Sequence, residues 1–363
     1  MCVVYRIDWT GDRDDFRIDQ KIQVGRGVMT KVIRLSRDEP RAPGRLLWAA
    51  LLIAAVALSN AVPAAAAEPQ LTVPRAKLTA AFHCTAKIRN ASKEPILLST
   101  GTGAAGSELY ASLKPALDAY RHPSCYVDYP DYTTADVQVS VQYLVFAIRR
   151  EAQLAGRPLA IYGISQGALL PRIALTYWPS LRSKVTDVIA AAGTQHGTTV
   201  QIGSGCSQTQ PCPPAVWQQA RGSDFLSAFN PQPDESPGAT GWTTVRSLGD
   251  EVVQPQSGPH PTSALRGAAN IVIQNVCPGR QQSHIGTAFD SVTWAALIDA
   301  VAHKGAAKAS RLPANVCSHK YASGLDEQQT DAEIAAAYGL IINRLFNQVP
   351  KVPHEPRVRA WVK

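Results

Sequence analysis

Nothing in this 363-residue sequence is spaced to hold a metal. It contains no cysteine pair at C-x-x-C spacing and no H-E-x-x-H stretch, so zinc ligation and metalloprotease chemistry are set aside. Its basic residues are not gathered among aromatic platforms or in a recognisable module, so no nucleic-acid partner is expected despite a formal net charge of +8. Residues 1–67 carry ten Lys/Arg against seven Asp/Glu, leaving a dilute +5 on everything that follows. There is no internal repeat and no low-complexity tract beyond an Ala-rich stretch ending at Ala67. The apolar run Leu46–Leu58 has 13 residues, too few to span a bilayer comfortably.

That run still carries information. Arg41 and Arg45 precede it, and Pro63 with four alanines follows it. A positive segment, a short apolar core and a small-residue A-x-A site are the pattern of a secretory signal peptide, which predicts cleavage after Ala67 and no membrane span afterwards. Residues 1–28 are awkward ahead of such a signal, so a later start at Val28 or Met29 is an alternative reading. Cysteine usage agrees with export. Cys2 falls in the leader, leaving Cys84, Cys125, Cys206, Cys212, Cys277 and Cys317. An even count in an oxidising compartment reads as three disulfides, and six cysteines allow 15 pairings. Spacing prefers a small Cys206–Cys212 loop and two loops of about forty residues, each contributing roughly 4 kcal/mol by chain entropy, but does not select among the pairings.

From Glu68 onward, short apolar runs alternate with helical patterns, the rhythm of an α/β fold with a mostly parallel sheet flanked by helices. Strands are expected at 95–98, 159–162, 188–192, 243–246 and 270–274. Helices are expected from about 134 to 155, ended by Gly156, and at 166–178, 289–303 and 327–346. Pro171 lies near the start of the second and is expected to kink it. The segments 198–222 and 230–242 read as long loops. One domain is expected over 68–350, leaving 351–363 as a basic tail open to disorder.

The sharpest local signal is Gly163-Ile164-Ser165-Gln166-Gly167 between a strand and a helix. A serine in a G-x-S-x-G turn sits on a tight strand-to-helix elbow that pushes its hydroxyl into a cleft, and the helix N-terminus leaves the Gln166 N–H free for an oxyanion. Serine needs a histidine base oriented by a carboxylate, and in this fold the chain order is Ser, acid, His. Asp250 follows the 243–246 strand, and His284 follows the 270–274 strand. His196, His260 and His303 are rivals: the first precedes the acid, the second sits between prolines, and the third reads as helical. Gly101-Thr102-Gly103, after an early strand, fits the second oxyanion donor, with Thr102 able to offer its N–H and its hydroxyl. Gln166 is expected to act through its backbone, so its side chain is expected to tolerate change.

These residues resemble the secreted α/β-hydrolase lipase family of Candida antarctica lipase B. The likeness runs from about Cys84 to His284 and rests on the 95–98 and 101–103 segments, Ser165-Gln166-Gly167, 179–185, Val216-Trp217-Gln218-Gln219 and 250–256. It implies a Ser165, Asp250, His284 triad, an oxyanion hole at Thr102 and Gln166, and disulfides Cys84–Cys125 and Cys277–Cys317. It also implies a monomer that needs no cofactor and acts on an ester or lipid substrate, with a lipid interface as one setting. Two positions depart from the family. Its best-known member carries tryptophan where Ile164 stands, which suggests a wider alcohol pocket here, and the family's pocket aspartate has no counterpart near Thr194. Cys206 and Cys212 have no family counterpart and suggest a disulfide-stiffened lid within 198–222. A polyester or polyhydroxyalkanoate depolymerase, or a non-catalytic surface-binding protein on the same fold, remains the alternative.

Overall fold

In a computed structural model of the chain, the described residues are 67–200 and 205–362, together with the backbone of three earlier strands. The chain divides into two units, Met1–Ala67 and Glu68–Lys363. In the first, β1 (Cys2–Trp9), β2 (Phe16–Val24) and β3 (Gly27–Leu35) form an antiparallel sheet in that order. The signal-like run and the cleavage position before Glu68 lie outside the described residues, apart from Ala67 itself.

The second unit begins with α1 (Arg75–Ala80) and β4 (Phe82–Cys84), then β5 (Ile96–Ser99), α2 (Gly106–Tyr120) and β6 (Ser124–Val127). The long helix α3 (Val137–Ala155) follows, with β7 (Leu159–Ile164), α4 (Gln166–Tyr177) and β8 (Val185–Ala191) after it. Short helices α5 (Pro214–Gln218) and α6 (Asp224–Phe229) precede β9 (Gly241–Arg246) and β10 (Ala269–Val272). The helical turn α7 (Ile273–Val276), then α8 (Ser291–Ala302) and α9 (Glu327–Asn343), complete it. The strands lie in the order β10-β9-β8-β7-β5-β6-β4, all parallel except the edge strand β4. This is the α/β architecture that the strand–helix rhythm predicted, in the α/β-hydrolase form that the resemblance implied.

Strand alternation divides the core between the two sheet faces. Leu97, Ile161 and Val188 pack with the apolar stripe Val137, Val141, Leu144 and Ile148 of α3, while Leu98, Tyr162, Ile189 and Val245 pack with Val292 and Leu297 of α8. Asp136 caps α3 by accepting from the Gln138 N–H, and Gly156 ends it in the left-handed conformation at φ 68°. Helix α4 continues through Pro171 as one element. Because the six parallel strands point one way, the loops after β5, β7, β8, β9 and β10 share one edge of the sheet, the edge where such folds place ligands.

Of the segment expected as a basic tail open to disorder, the described residues 351–362 are packed on the domain. Trp361 packs edge-on against Tyr177 and Trp178 at centroid distances of 5.0 and 5.2 Å, and Val362 is buried. The Glu355 carboxylate accepts from the Asp224 and Phe225 N–H groups at the start of α6. The basic composition left the tail open to disorder, but its apolar side chains Trp361 and Val362 are packed. The 198–222 segment, described except for 201–204, is likewise tied down: Cys212 pairs with Val352, and Trp217 donates to the Val352 carbonyl. Disulfides join Cys84–Cys125, Cys206–Cys212 and Cys277–Cys317.

At the opposite edge of the sheet, Asp187 of β8 is almost fully buried with one carboxylate oxygen unpartnered among the described residues. Burial, with the Glu94 charge nearby, pushes its carboxyl up to about 7. The native state therefore holds this proton more tightly than the unfolded chain does between the ordinary Asp value and about 7. Stability from this group is present at low pH and lost as pH rises through that window. Buried Glu151 shifts in the same direction, through desolvation. Asp187→Asn should raise Tm by a few degrees at pH 8 and leave it unchanged at pH 4. Thermal melts across pH check this, and an unaltered pH slope in the variant would reject it.

Candidate active site

Ser165 is the junction between β7 and α4, and its backbone sits at φ 57°, ψ −122°. That conformation is unusual for a residue with a Cβ and costs on the order of 1–3 kcal/mol. The flanking glycines make the bend possible. A Cβ on Gly163 would stand 2.2 Å from the Gly167 carbonyl oxygen, and one on Gly167 would stand 2.0 Å from the Ser99 carbonyl oxygen. The elbow is therefore packed directly on the end of β5. A Cβ on Gly101 would meet Ser165 Cβ at 2.9 Å, so the Gly101–Gly103 loop lies against the serine.

That proximity puts the loop carrying Thr102 beside the elbow. Among the described residues, neither the Thr102 N–H nor the Gln166 N–H donates to any protein acceptor. Gln166 is the first residue of α4, where backbone N–H groups have no intrahelical partner. The loop is braced from behind: Arg344, just past α9, donates to the Gly103 carbonyl at 3.1 Å and pairs with Glu108 at 2.6 Å. That guanidinium holds the Glu108 carboxyl below its usual range.

Asp250 lies in the loop after β9 and is 1% exposed. Its Oδ1 accepts from the Val252 and Val253 N–H groups at 2.9 and 2.8 Å, and its Oδ2 lies 2.8 Å from His284 Nδ1. The histidine loop follows α7, which the Cys277–Cys317 bridge closes, and it leads into a 3₁₀ turn at Ile285–Ala288. The Ala288 carbonyl accepts from Tyr162 Oη on β7 at 2.5 Å, which ties the turn after His284 to the serine's own strand. Ser165 Oγ makes no hydrogen bond among the described residues, so the serine–histidine contact is not closed in this structure. Contacts of this kind commonly tighten only when substrate is bound.

The rival histidines are engaged elsewhere. His196 Nδ1 lies 3.1 Å from the Thr262 carbonyl, with its other nitrogen 3.4 Å from Glu235. Burial and the nearby Arg172 charge push its pKa down. His303 pairs with Asp299 at the end of α8, and His260 is exposed. Ile164 ends β7 with 6% exposure, immediately before the serine. Thr194, expected as a pocket wall, spends its hydroxyl on Gln219 at 2.8 Å.

The structure revises one expectation. The Gln166 side chain is fully buried, and its Oε1 accepts from Thr102 Oγ1 at 2.7 Å and from Gln219 Nε2 at 3.0 Å, so it is not free to change. The motif showed the exposed N–H but not where a long polar side chain inside the elbow must go. Two further residues had no sequence signal as site residues. Glu251 accepts from the His284 N–H at 3.1 Å and from the Tyr338 hydroxyl of α9, which in turn accepts from the Ile285 N–H. Burial and the Glu251 carboxylate push the Tyr338 phenol up.

Large exposed apolar side chains are Leu248 in the loop after β9, Leu340 and Ile342 on α9, Phe346 just past it, and Tyr132, whose carbonyl accepts from the Gly103 N–H. Among the described residues, no group of three or more His, Cys, Asp or Glu is gathered as a metal site, and no helix is long and apolar enough to cross a membrane.

No family model matches the chain. Lipase B of Pseudozyma antarctica is 31% identical over 235 residues, which cover 63% of this chain and 67% of that protein. Among solved structures, Aspergillus fumigatus lipase B is similar with a TM-score of 0.74 and 27% identity, covering 82% of this chain and 74% of that one.

Proposed function

This chain belongs to the lipase B family of α/β-hydrolases and is a carboxylic ester hydrolase, and from that premise we propose that it is an exported lipase or carboxylesterase working through an acyl-enzyme on Ser165. The observation that carries the reading is the 2.8 Å Asp250–His284 pair on the same sheet edge as the strained Ser165 elbow. Asp250 holds the imidazole with its Nδ1 protonated, leaving Nε2 as the base. As Ser165 Oγ attacks the ester carbonyl, its proton passes to His284, and the Thr102 and Gln166 N–H groups receive the oxyanion. The protonated His284 then gives its proton to the departing alcohol, and water attacks the acyl-enzyme by the same route in reverse. No cofactor enters this sequence.

The apolar rim around the loops suits a lipid or other hydrophobic ester, and the three disulfides suit an oxidising compartment. Reaction with a fluorophosphonate probe, followed by mapping of the labelled peptide, tests the reading. Label on Ser165 supports it, and an unlabelled folded protein points to a binding role on this scaffold. Comparing nitrophenyl esters of increasing chain length, emulsified triglyceride and polyester film separates lipase, esterase and depolymerase.

The Ile164 position yields a specificity prediction. An isoleucine leaves more room beside the nucleophile than an indole does, so bulky secondary-alcohol esters should be turned over roughly tenfold faster by the native chain than by Ile164→Trp. The ratio of kcat/KM values for a secondary and a primary alcohol ester is the measurement. Equal ratios in the two proteins would reject the wider pocket.

A further inference from the structure

A cavity of about 440 Å³ lies away from the catalytic loops, between α1, β4, the 3₁₀ turn Ala86–Ile88 and the C-terminal half of α3. That volume is in the range of small-molecule sites, roughly 300–1,000 Å³. Cys84 faces Cys125 near the start of β6, and Leu154 lies at the end of α3, shortly before β7 begins. The cavity therefore sits toward the sheet edge opposite Ser165. Its floor is apolar: Phe82, Phe146 and Leu154 are half-buried there, the two rings meeting edge to face at 6.3 Å. Its rim is cationic, with exposed Arg75, Arg89 and Arg150 supplied by three separate segments of chain, and no aspartate or glutamate lines it. Among the described residues Arg75 and Arg89 have no hydrogen-bond or ion-pair partner, and Arg150 has only the neutral Gln153 side chain at 2.8 Å. Neighbouring Arg149, by contrast, is paired with Glu68 at 3.1 Å. The stretch 69–93 holds Arg75, Lys77, Lys87, Arg89 and Lys93 and no acidic residue, so nothing in it neutralises the rim.

We infer that this cavity is a binding site for a single amphipathic carboxylate, the anion of a fatty acid, separate from the catalytic centre. Long basic side chains often lie along apolar surface merely to shield it. Here the rings and Leu154 still border open space, so the arginine stems have not closed over them. Three like charges around one opening repel one another, and an anionic head relieves that repulsion. A carboxylate matches the two-pronged face of a guanidinium and makes charge-assisted hydrogen bonds with it. The attached chain then displaces water from the phenylalanine and leucine floor, which a bare anion cannot do. Ester hydrolysis would supply such an anion, but the site itself does not depend on the acyl-transfer reading above.

Calorimetric titration of the native chain with decanoate, decanol and inorganic phosphate tests this. Decanoate should bind saturably and at least roughly tenfold more tightly than decanol, which has the tail without the charge, or phosphate, which has the charge without the tail. Changing Arg89→Gln and Arg150→Gln together should weaken the decanoate event at least about tenfold, and added salt should weaken it in the native chain. These side chains are exposed and lie outside the loops after β5, β7, β9 and β10, so the variant's Tm and its rate on a short ester should match the native values. Capping Ser165 with a fluorophosphonate should leave the event in place, which separates it from product held at the catalytic centre. Binding that survives the arginine changes, or that capping abolishes, overturns the inference. Equal affinity for decanoate and decanol would reduce the cavity to an apolar groove, and equal affinity for phosphate would reduce it to an anion patch, and either result overturns the inference. Adsorption to phosphatidylglycerol vesicles without saturable decanoate binding overturns it too, in favour of a membrane-contact face. If the native chain is not labelled at Ser165 while decanoate binding persists and depends on the arginines, the catalytic reading fails and the site stands.

Discussion

Ser165→Ala is expected to remain folded and to lose on the order of 10⁶ in kcat toward a soluble ester, with fluorophosphonate labelling abolished. The size of the loss follows from the division of labour around the elbow. Asp250 and His284 have no proton to take once the hydroxyl is gone, so their pairing, intact in the variant, contributes nothing to the rate. What remains is the oxyanion hole and the substrate-binding surface, worth roughly 10³ to 10⁴ over water. Alanine also has a Cβ at φ 57°, so the backbone strain is neither added nor relieved, and Tm should move little. Steady-state rates on purified protein, paired with a thermal melt, settle the matter. Activity near wild type in a folded Ser165→Ala protein would refute the serine mechanism.

The elbow was legible because its constraint is local. Two glycines and a serine between an apolar strand and a helical pattern leave few alternatives, and the close approaches at Gly163 and Gly167 are the steric reason. The parallel sheet was legible from buried runs at 95–98, 159–162 and 188–192. The Asp250–His284 pairing came from chain order and strand ends, though His196 and His303 could be discounted fully only from their contacts with Thr262 and Asp299. Other elements gave no readable signal. Helix α2 carries Pro115 in its interior, and β6 offers only Ser124-Cys125-Tyr126-Val127, too short a run for periodicity to declare. Strand β10 ends at Val272 rather than Gln274, because the apolar run passes without a break into the turn α7.

What stayed hidden at the site was long-range. Tyr338 lies 87 residues from Glu251 and Arg344 lies 241 from Gly103, and no spacing rule joins them. Both contacts tie the far end of the chain, α9 and the residues just after it, to the two loops on which catalysis is proposed to depend. One is the histidine loop, through Glu251, and the other is the Thr102 loop, through Arg344. The same region carries exposed Leu340, Ile342 and Phe346. The segment that carries these exposed apolar side chains is thereby fastened to the groups expected to act on substrate, a coupling written in tertiary contacts and not in local pattern.

Asp250→Asn is expected to lower kcat by about 10⁴ while leaving KM and the fold nearly unchanged. The reason lies in which oxygen does what. Oδ1 accepts from two backbone N–H groups, Val252 and Val253, at 2.9 and 2.8 Å, and Oδ2 faces His284 Nδ1. An asparagine must keep its one oxygen toward the two N–H donors, because its amide nitrogen cannot accept from them. The amide NH₂ is then forced toward His284 Nδ1. A donor in that place selects the tautomer with Nδ1 bare and Nε2 protonated, and such an imidazole cannot take the Ser165 proton. Volume and backbone bonds are conserved, so the melt should stay close to wild type. Asp250→Ala, which empties the space without imposing a tautomer, removes both backbone anchors of the loop and should lose Tm as well as rate. Comparing kcat, KM and Tm across the two variants separates tautomer control from simple structural damage. An asparagine variant with near-native kcat would show that the carboxylate does not set the state of His284.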